Sequence, residues 1–293
     1  MFIRPLTRSV ITTLVLSAAL GFGGAAAAQT LRAAPHAELQ FIDPIFTTAY
    51  ITRSYGYLVY DTLFGLDEEF EPQPQMVSDW SVSEDGLLWR FTLRPGQLWH
   101  DGTPVTAEDC IASLRRWATN DGIGQALFSL VEAIEADPQD PASFSIRLSR
   151  PYPRMLQSLA KMSSHVPFMM PRRLAETPAN EPITDPTGSG PYRLSVADWE
   201  QGRVVFLRNA AYVPRPEPTS LAAGGKIPFM ERIEWVYFDT HAEAVQALLA
   251  NEIDYLESPS TGPAPRLEDI EGIALEVTDP TGNVGMAVFN HLI

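Results

Sequence analysis

Cysteine and positive charge are both scarce in this sequence. Cys110 is the one cysteine among 293 residues, so the chain cannot form an internal disulfide bond. Lysine and arginine total 21 against 36 aspartates and glutamates, a formal net charge of -15. Nucleic-acid binders and proteins that dock on anionic membranes through a basic patch need the opposite charge. We predict a monomer with no nucleic-acid partner, whose net charge keeps it soluble and whose stability comes from a hydrophobic core.

Motifs for metal binding and catalysis are also missing. The five histidines have no metal-site spacing, and CxxC, HExxH, GxSxG and phosphate-binding loops do not occur. The sequence therefore predicts no metal, no cofactor and no catalytic residue. One alternative stays open, because Ser158 and Lys161 match the S-x-x-K pattern of penicillin-recognising serine hydrolases. The S-D-N and K-T-G motifs that accompany that pattern do not follow it.

Two glycine-containing segments resemble functional sites but are better explained by chain geometry. A turn is predicted at His100, Asp101 and Gly102, because Asp-Gly after a strand is typical of turns. We expect His100 to bond to nearby backbone rather than to act as a base. Gly188 and Gly190 precede a strand, whereas a phosphate cradle opens a helix. We predict that a turn requiring positive φ explains both glycines.

The first 28 residues are typical of a cleaved export leader. Arg4 and Arg8 precede an uncharged apolar stretch at 10–22, and three alanines at 26–28 follow it. This order of basic, apolar and small residues predicts cleavage between Ala28 and Gln29. The apolar stretch is shorter than the roughly 20 residues of a membrane span, and no cysteine is present there for acylation. We therefore predict a periplasmic protein.

Strand and helix patterns alternate along the rest of the chain. Apolar residues at 53–65 predict a helix, and Thr106 with Asp109 predicts a capping box that starts another helix, in which Cys110 is buried. Alternating residues predict strands at 80–82, 87–93, 97–99, 143–148, 192–207 (two strands), 232–238, 253–255 and 283–290. A helix at 241–250 separates two of these strands. The pattern indicates an α/β or α+β fold.

Ordered motifs make the chain resemble a known family. They are YDTL at 60–63, VSDWSVSEDG at 77–86, WHDGTPVTAED at 99–109, GSGPYRL at 188–194, Arg208-Asn209 with Tyr212, and NEID at 251–254. Their order and spacing resemble those of the family 5 extracellular solute-binding proteins, the peptide- and nickel-type binding components of ABC importers. The resemblance runs from about residue 31 to the end.

The resemblance implies an α/β fold of the type II periplasmic-binding-protein kind. Residues 29–58 and 186–265 would form the core of the first lobe, and 59–185 an inserted α+β subdomain. Residues 266–293 would start the crossover toward a second lobe, which is expected to be missing. One lobe alone is expected to bind solute weakly, because it supplies half of the contacts and cannot exclude water.

The resemblance also implies a function and a site. The expected ligand is a peptide or a similar small solute, and the expected partners are the permease subunits of an ABC importer in the inner membrane. By position in the family, the residues that face the ligand cleft are Phe46, Thr47, Thr48, Ala49 and Tyr50. The competing interpretations are a chaperone-like periplasmic interaction module and the serine hydrolase named above.

Overall fold

The computed structural model of the protein describes residues 29–259, 267 and 270–277. The predicted leader at 1–28, the strand predicted at 283–290 and much of the predicted crossover segment lie outside these residues. The described chain contains thirteen strands and six α-helices. In chain order the elements are β1 Thr30–Ala34, α1 Tyr50–Val59, β2 Asp61–Thr62, β3 Phe64–Leu66, β4 Pro72–Pro74, β5 Val77–Val82, β6 Leu88–Leu93, α2 Ala107–Asn120, α3 Gly122–Phe128, β7 Val131–Asp137, β8 Asp140–Leu148, α4 Met155–Leu159, β9 Phe168–Met169, α5 Arg172–Ala175, β10 Tyr192–Leu194, β11 Arg203–Arg208, β12 Arg232–Val236, α6 His241–Leu249 and β13 Tyr255–Leu256.

Two sheets organise the molecule. The larger is mixed, with five strands in the order β10-β11-β12-β1-β13. Its first two pairings are antiparallel, whereas β1 runs parallel to both β12 and β13. The second sheet is antiparallel, in the order β5-β6-β8-β7, and two short pairs, β2 with β9 and β3 with β4, accompany it. The mixture of parallel and antiparallel strands with packed helices is an α/β fold.

Helix α2 shows how local sequence produces this packing. The Thr106 hydroxyl accepts the backbone N–H of Asp109, and the Asp109 carboxylate accepts the N–H of Thr106, so the predicted capping box is confirmed. The predicted burial of Cys110 is confirmed too, and Leu114 and Trp117 on the same face of the helix are also fully buried. Burial raises the pKa of the Cys110 thiol, so this cysteine is a packing residue.

The helix predicted at 53–65 is wrong at both ends. Helix α1 begins at Tyr50 and stops at Val59, and the backbone of Tyr60 is already extended. Residues 60–64 are buried as extended chain, in which β2 pairs with β9 and β3 pairs with β4. A continuous apolar run does not distinguish a buried strand from the end of a helix, and this ambiguity caused the error. Similarly, only an isolated bridge between Leu98 and Pro104 occurs where a strand was predicted at 97–99.

The explanation predicted for Gly188 and Gly190 is also wrong. Neither glycine has a positive φ. Both lie instead against the last turn of α1, where a Cβ on Gly188 would overlap the carbonyl oxygen of Val59. A Cβ on Gly190 would lie 2.7 Å from the carbonyl oxygen of Leu58, and the Gly190 N–H donates to the Val59 oxygen at 2.8 Å. The loop thus requires glycine because two backbones approach closely.

Candidate functional site

The predicted ligand-facing segment connects the large sheet to α1. After β1 the chain runs through residues 35–49 and enters α1 at Tyr50, so Phe46 to Tyr50 form the last residues before the helix and its first residue. Phe46 and Thr47 are partly buried, whereas Thr48, Ala49 and Tyr50 are exposed. The exposed residues could therefore offer backbone groups and side chains to a solute.

Asp43 fixes the start of this segment. Its carboxylate accepts the N–H groups of Ile45 at 3.0 Å and Phe46 at 3.2 Å, and its carbonyl oxygen accepts the N–H of Thr47 at 3.4 Å. Farther along, the Thr47 hydroxyl accepts the N–H of Ala49 at 3.2 Å. Hydrogen bonds thus hold the N–H groups of Phe46, Thr47 and Ala49, and such fixed geometry is what a preorganised binding segment requires.

A buried ion pair holds Asp43 itself. The Arg116 guanidinium of α2 lies 2.6 Å from the Asp43 carboxylate, and the two side chains expose 1% and 0% of their surface. Arg116 also donates to the carbonyl oxygens of Thr177, Pro178 and Glu181. A buried charge pair needs such additional hydrogen bonds to offset desolvation. The predicted segment is therefore tied, through Asp43, to the longest helix of the described chain.

Tyr50 and Arg53 form a pair on the first turn of α1. The Arg53 guanidinium carbon lies 4.3 Å from the centroid of the Tyr50 ring, within the range of a cation–π contact. Tyr50 exposes 52% of its surface, and Arg53 is half-buried. Through this contact, Arg53 in the first turn of α1 lies next to the last residue of the predicted segment.

Beyond Arg53 lies a cavity of about 540 Å³. Arg53, Ser54 and Tyr57 of α1 form one wall, and Met162 lies on another. The rest comes from Pro191, Tyr192 and the loop at 219–229. Its volume lies within the usual range of small-molecule pockets, roughly 300–1,000 Å³. No sequence pattern predicts this cavity, because it forms between residues far apart in the chain.

Lys226 is one of the two charged residues that line the cavity. Its ammonium group lies 2.7 Å from the carboxylate of Asp61, which also accepts the Tyr212 hydroxyl at 2.9 Å. Asp61 is buried, so this cluster is shielded from water. Its residues come from YDTL at 60–63, from Tyr212 and from the loop at 219–229. Through Lys226, the cluster therefore connects Asp61 and Tyr212, which belong to two of the family-like motifs, to the lining of the cavity.

A second cavity, of about 410 Å³, lies at the carboxyl ends of the parallel strands β1, β12 and β13. His36 and Glu257 line it and are joined by a 2.9 Å hydrogen bond. The capping box of α6, formed by Thr240 and Glu243, already occupies the N–H groups at that helix start. Open α/β sheets commonly bind ligands at this edge. The cavity beside α1 adjoins the predicted segment, however, and is lined by Arg53, which forms no ion pair with any described residue.

His100 bonds to backbone, as predicted. Its Nδ1 accepts the N–H of Gly188 at 3.2 Å, so the neutral ring carries its proton on Nε2 and donates it to the Gly190 carbonyl at 3.1 Å. Burial lowers the pKa of His100 to about 4. The neutral imidazole therefore holds the loop that contains Gly188 and Gly190, which packs against the end of α1.

We expect the stability of the protein to fall between about pH 6.5 and pH 4 because His100 must take up a proton. The unfolded chain binds this proton near the ordinary histidine pKa and the folded chain only near 4, so acidification favours unfolding. The full shift corresponds to about 3 kcal/mol, of which about 2 kcal/mol falls between pH 7 and pH 5. Urea titrations at pH 7 and pH 5 would measure it. The slope should be smaller in His100→Gln, and an unchanged slope would contradict the assignment.

Ser158 and Lys161 are not joined as a catalytic pair. The buried Ser158 hydroxyl lies 3.0 Å from the Tyr152 hydroxyl, whereas the Lys161 ammonium bonds to Asp121 and to the Ser164 carbonyl. A serine nucleophile requires its base within hydrogen-bond reach. Among the described residues, moreover, no group of three or more histidine, cysteine or acidic side chains could hold a metal ion. Within that same part of the chain, no helix has both the length and the apolar character of a membrane span.

Comparison with known proteins agrees with the family resemblance seen in the sequence motifs. Residues 71–292 match the family of bacterial extracellular solute-binding proteins, family 5 Middle. A probable peptide ABC transporter periplasmic-binding protein of Sinorhizobium fredii, y4tO, is 39% identical over 261 residues, which cover 88% of this chain and 48% of that protein. The glutathione-binding protein GsiB of Salmonella typhi is 26% identical over 207 residues, which cover 70% and 39%.

Solved structures share the fold. The dipeptide-binding protein of Pseudoalteromonas sp. SM9913, determined in complex with Met-Leu, superposes with a TM-score of 0.65 at 20% identity, over 83% of this chain and 50% of that one. The described chain thus has the mixed α/β fold of part of a periplasmic binding protein. It spans half or less of the length of these relatives.

Proposed function

Because the chain belongs to the family 5 bacterial extracellular solute-binding proteins, we propose that it captures peptides or a similar small solute for an ABC importer. The observation that carries this proposal is the anchored segment at 46–50, exposed over its last three residues, beside a cavity of about 540 Å³. The names of the S. fredii and Pseudoalteromonas proteins, which refer to peptides and dipeptides, support this ligand class. Its partners would be permease subunits in the inner membrane.

The proposal includes export and a division into parts. The leader at 1–28 would be removed between Ala28 and Gln29, leaving the protein in the periplasm as a monomer without cofactor or enzymatic activity. Residues 29–58 and 186–265 would form the lobe core, and 59–185 the inserted subdomain. In support, every strand of the five-stranded sheet comes from the first set of ranges, and every strand of the four-stranded sheet from the second.

Within this function, the segment at 46–50 would bind the solute backbone. Thr48 is exposed, so its N–H and C=O groups could pair with an extended peptide as an added strand does. Tyr50 would provide an aromatic face to the solute and hold Arg53 beside it. Because Asp43 anchors the segment, little chain entropy would be lost on binding.

Tyr50→Ala tests the site. Saturation-transfer NMR with a library of dipeptides and tripeptides detects the weak binding expected of this chain. We expect the variant to weaken binding by roughly three- to tenfold, because an aromatic contact contributes about 0.5–1.5 kcal/mol. The control is Phe70→Ala, an exposed aromatic in the turn between β3 and β4. Equal binding by wild type and Tyr50→Ala would remove the segment from the site, and no binding by the wild type would contradict the function.

A further inference from the structure

The charged side chains that line the cavity beside α1 are both cations. Arg53 and Lys226 line it, and the described lining contains no carboxylate. This is unexpected in a chain with 36 acidic and 21 basic residues. A locally cationic cavity in an acidic protein favours a ligand group of negative charge over the neutral or cationic alternatives.

Of the two cations, only Arg53 is available to a ligand. Lys226 is neutralised by its 2.7 Å contact with the buried Asp61. Arg53, in contrast, forms no ion pair and no side-chain hydrogen bond with any residue that the structure describes; its contact is with the ring of Tyr50. A half-buried guanidinium without a counter-charge keeps its N–H donors free for a planar anion, which it can bind in a bidentate manner.

The N-terminus of α1 also favours a negatively charged group. Ala49 caps this helix without a side-chain hydrogen bond, and its first turn contains no acidic residue. The helices α2, α3 and α6 are each capped by their own side chains, Thr106, Asp121 and Thr240. The partial positive charge at the N-terminus of α1 therefore adds to the charge of Arg53, which lies in its first turn.

The remaining walls are mainly apolar. Met162, Leu221, Ile227 and Phe229 line the cavity, and the last three are exposed in this structure. Burial also raises the pKa of Tyr57, so its phenol stays neutral. An apolar group would cover these exposed side chains and would gain about 25 cal/mol per Å² of buried apolar surface.

We propose that this cavity selects solutes in which a carboxylate lies next to an apolar group, and that Arg53 is the residue that determines this selection. Tyr50 positions the guanidinium, and the loop at 219–229 contacts the apolar group. The inference rests on the proposed solute-binding function and adds to it a class of solute and a specificity-determining residue. The terminal carboxylate of a peptide that ends in an apolar residue has this chemistry.

The test compares N-acetyl-leucine with N-acetyl-leucinamide, which differ in charge but hardly in shape. Ligand-observed NMR titration of the 293-residue protein is expected to show at least about tenfold tighter binding of the acid, because hydrogen bonds to charged groups are the strong ones. Arg53→Gln should lower the affinity for the acid about tenfold and leave the amide within about twofold. Arg53→Lys should restore part of the preference, since it keeps the charge but loses the bidentate geometry.

The control is Arg90→Gln on the exposed face of β6, which should bind both probes like the wild type. Arg53 has no ion pair with a described residue to lose, so thermal unfolding should be similar in all variants. Equal affinity of the wild type for acid and amide, or an acid preference that survives Arg53→Gln, overturns the inference and leaves the proposed function intact. If neither the probes nor any library peptide bind, the proposed function fails with it.

Discussion

Replacing Arg116 with methionine is expected to lower the free energy of unfolding by about 3–5 kcal/mol, because it leaves the carboxylate of Asp43 buried without a counter-charge. The substitution also removes the donors to the carbonyl oxygens of Thr177, Pro178 and Glu181. Chemical denaturation followed by tryptophan fluorescence would measure the loss.

A matched control is available on the surface. Arg172 forms ion pairs with Glu108 and Glu176 but exposes 54% of its side chain. Arg172→Met should therefore change the stability by less than about 1 kcal/mol. The double variant Asp43→Asn/Arg116→Met should recover part of the loss, because no buried charge remains. Similar losses in Arg116→Met and Arg172→Met would show that the buried pair is not a major anchor.

The Arg116 variant also has an expected effect on the binding segment. Asp43 accepts the N–H groups of Ile45 and Phe46, and its position depends on Arg116. Hydrogen exchange at these two amides should therefore accelerate even under conditions in which the protein stays folded. Unchanged protection at these amides would mean that the segment is held independently of α2.

The second large effect is expected at Gly188. An alanine there would place its Cβ into the carbonyl oxygen of Val59, and backbone atoms cannot rotate out of the way as a side chain can. The loop cannot easily shift either, because His100 holds it through the Gly188 N–H and the Gly190 carbonyl. We expect Gly188→Ala to lower the free energy of unfolding by about 3 kcal/mol, the upper end of the usual range for overpacking.

Gly122→Ala is the corresponding control. Gly122 is the first residue of α3, has no positive φ, and would have nothing within 4 Å of an added Cβ. Alanine should stabilise the protein there by up to about 1 kcal/mol, because it restricts the unfolded chain. Thermal unfolding of the two variants should shift in opposite directions. A Gly188→Ala protein as stable as the wild type would contradict the close approach to α1.

Features that depend on near neighbours in the chain could be predicted from the sequence. The capping box of Thr106 and Asp109 and the buried face with Cys110 follow from residues within one or two helical turns. The strand predicted at 143–148 lies in β8, and the one predicted at 232–238 begins with β12 but extends two residues past its end at Val236. Both follow from alternation, which is a local pattern. The longer extent of β8, which begins at Asp140, was missed because its first residues do not alternate clearly.

Features that depend on distant contacts could not be predicted. Glycine is required at position 188 because the carbonyl oxygen of Val59 lies where a Cβ would be. No local sequence pattern indicates that these two backbone segments are close. Arg53 appears in the sequence only as a charge within a predicted helix. Its role becomes visible when Tyr50, Met162 and the loop at 219–229 are placed around it. The segment at 46–50 came from family resemblance, and its use in binding stays a prediction.

The position of β1 has a consequence for how the chain matures. This strand, the first of the fold, pairs with β12 and β13, so residue 30 meets its partner only at residue 232. The four-stranded sheet, in contrast, is complete by Leu148. During synthesis the larger sheet therefore cannot be completed until nearly all of the described chain has been made. Its formation costs the conformational entropy of closing a very long loop. The two sheets are therefore expected to form at different times, the four-stranded sheet first and the five-stranded sheet last.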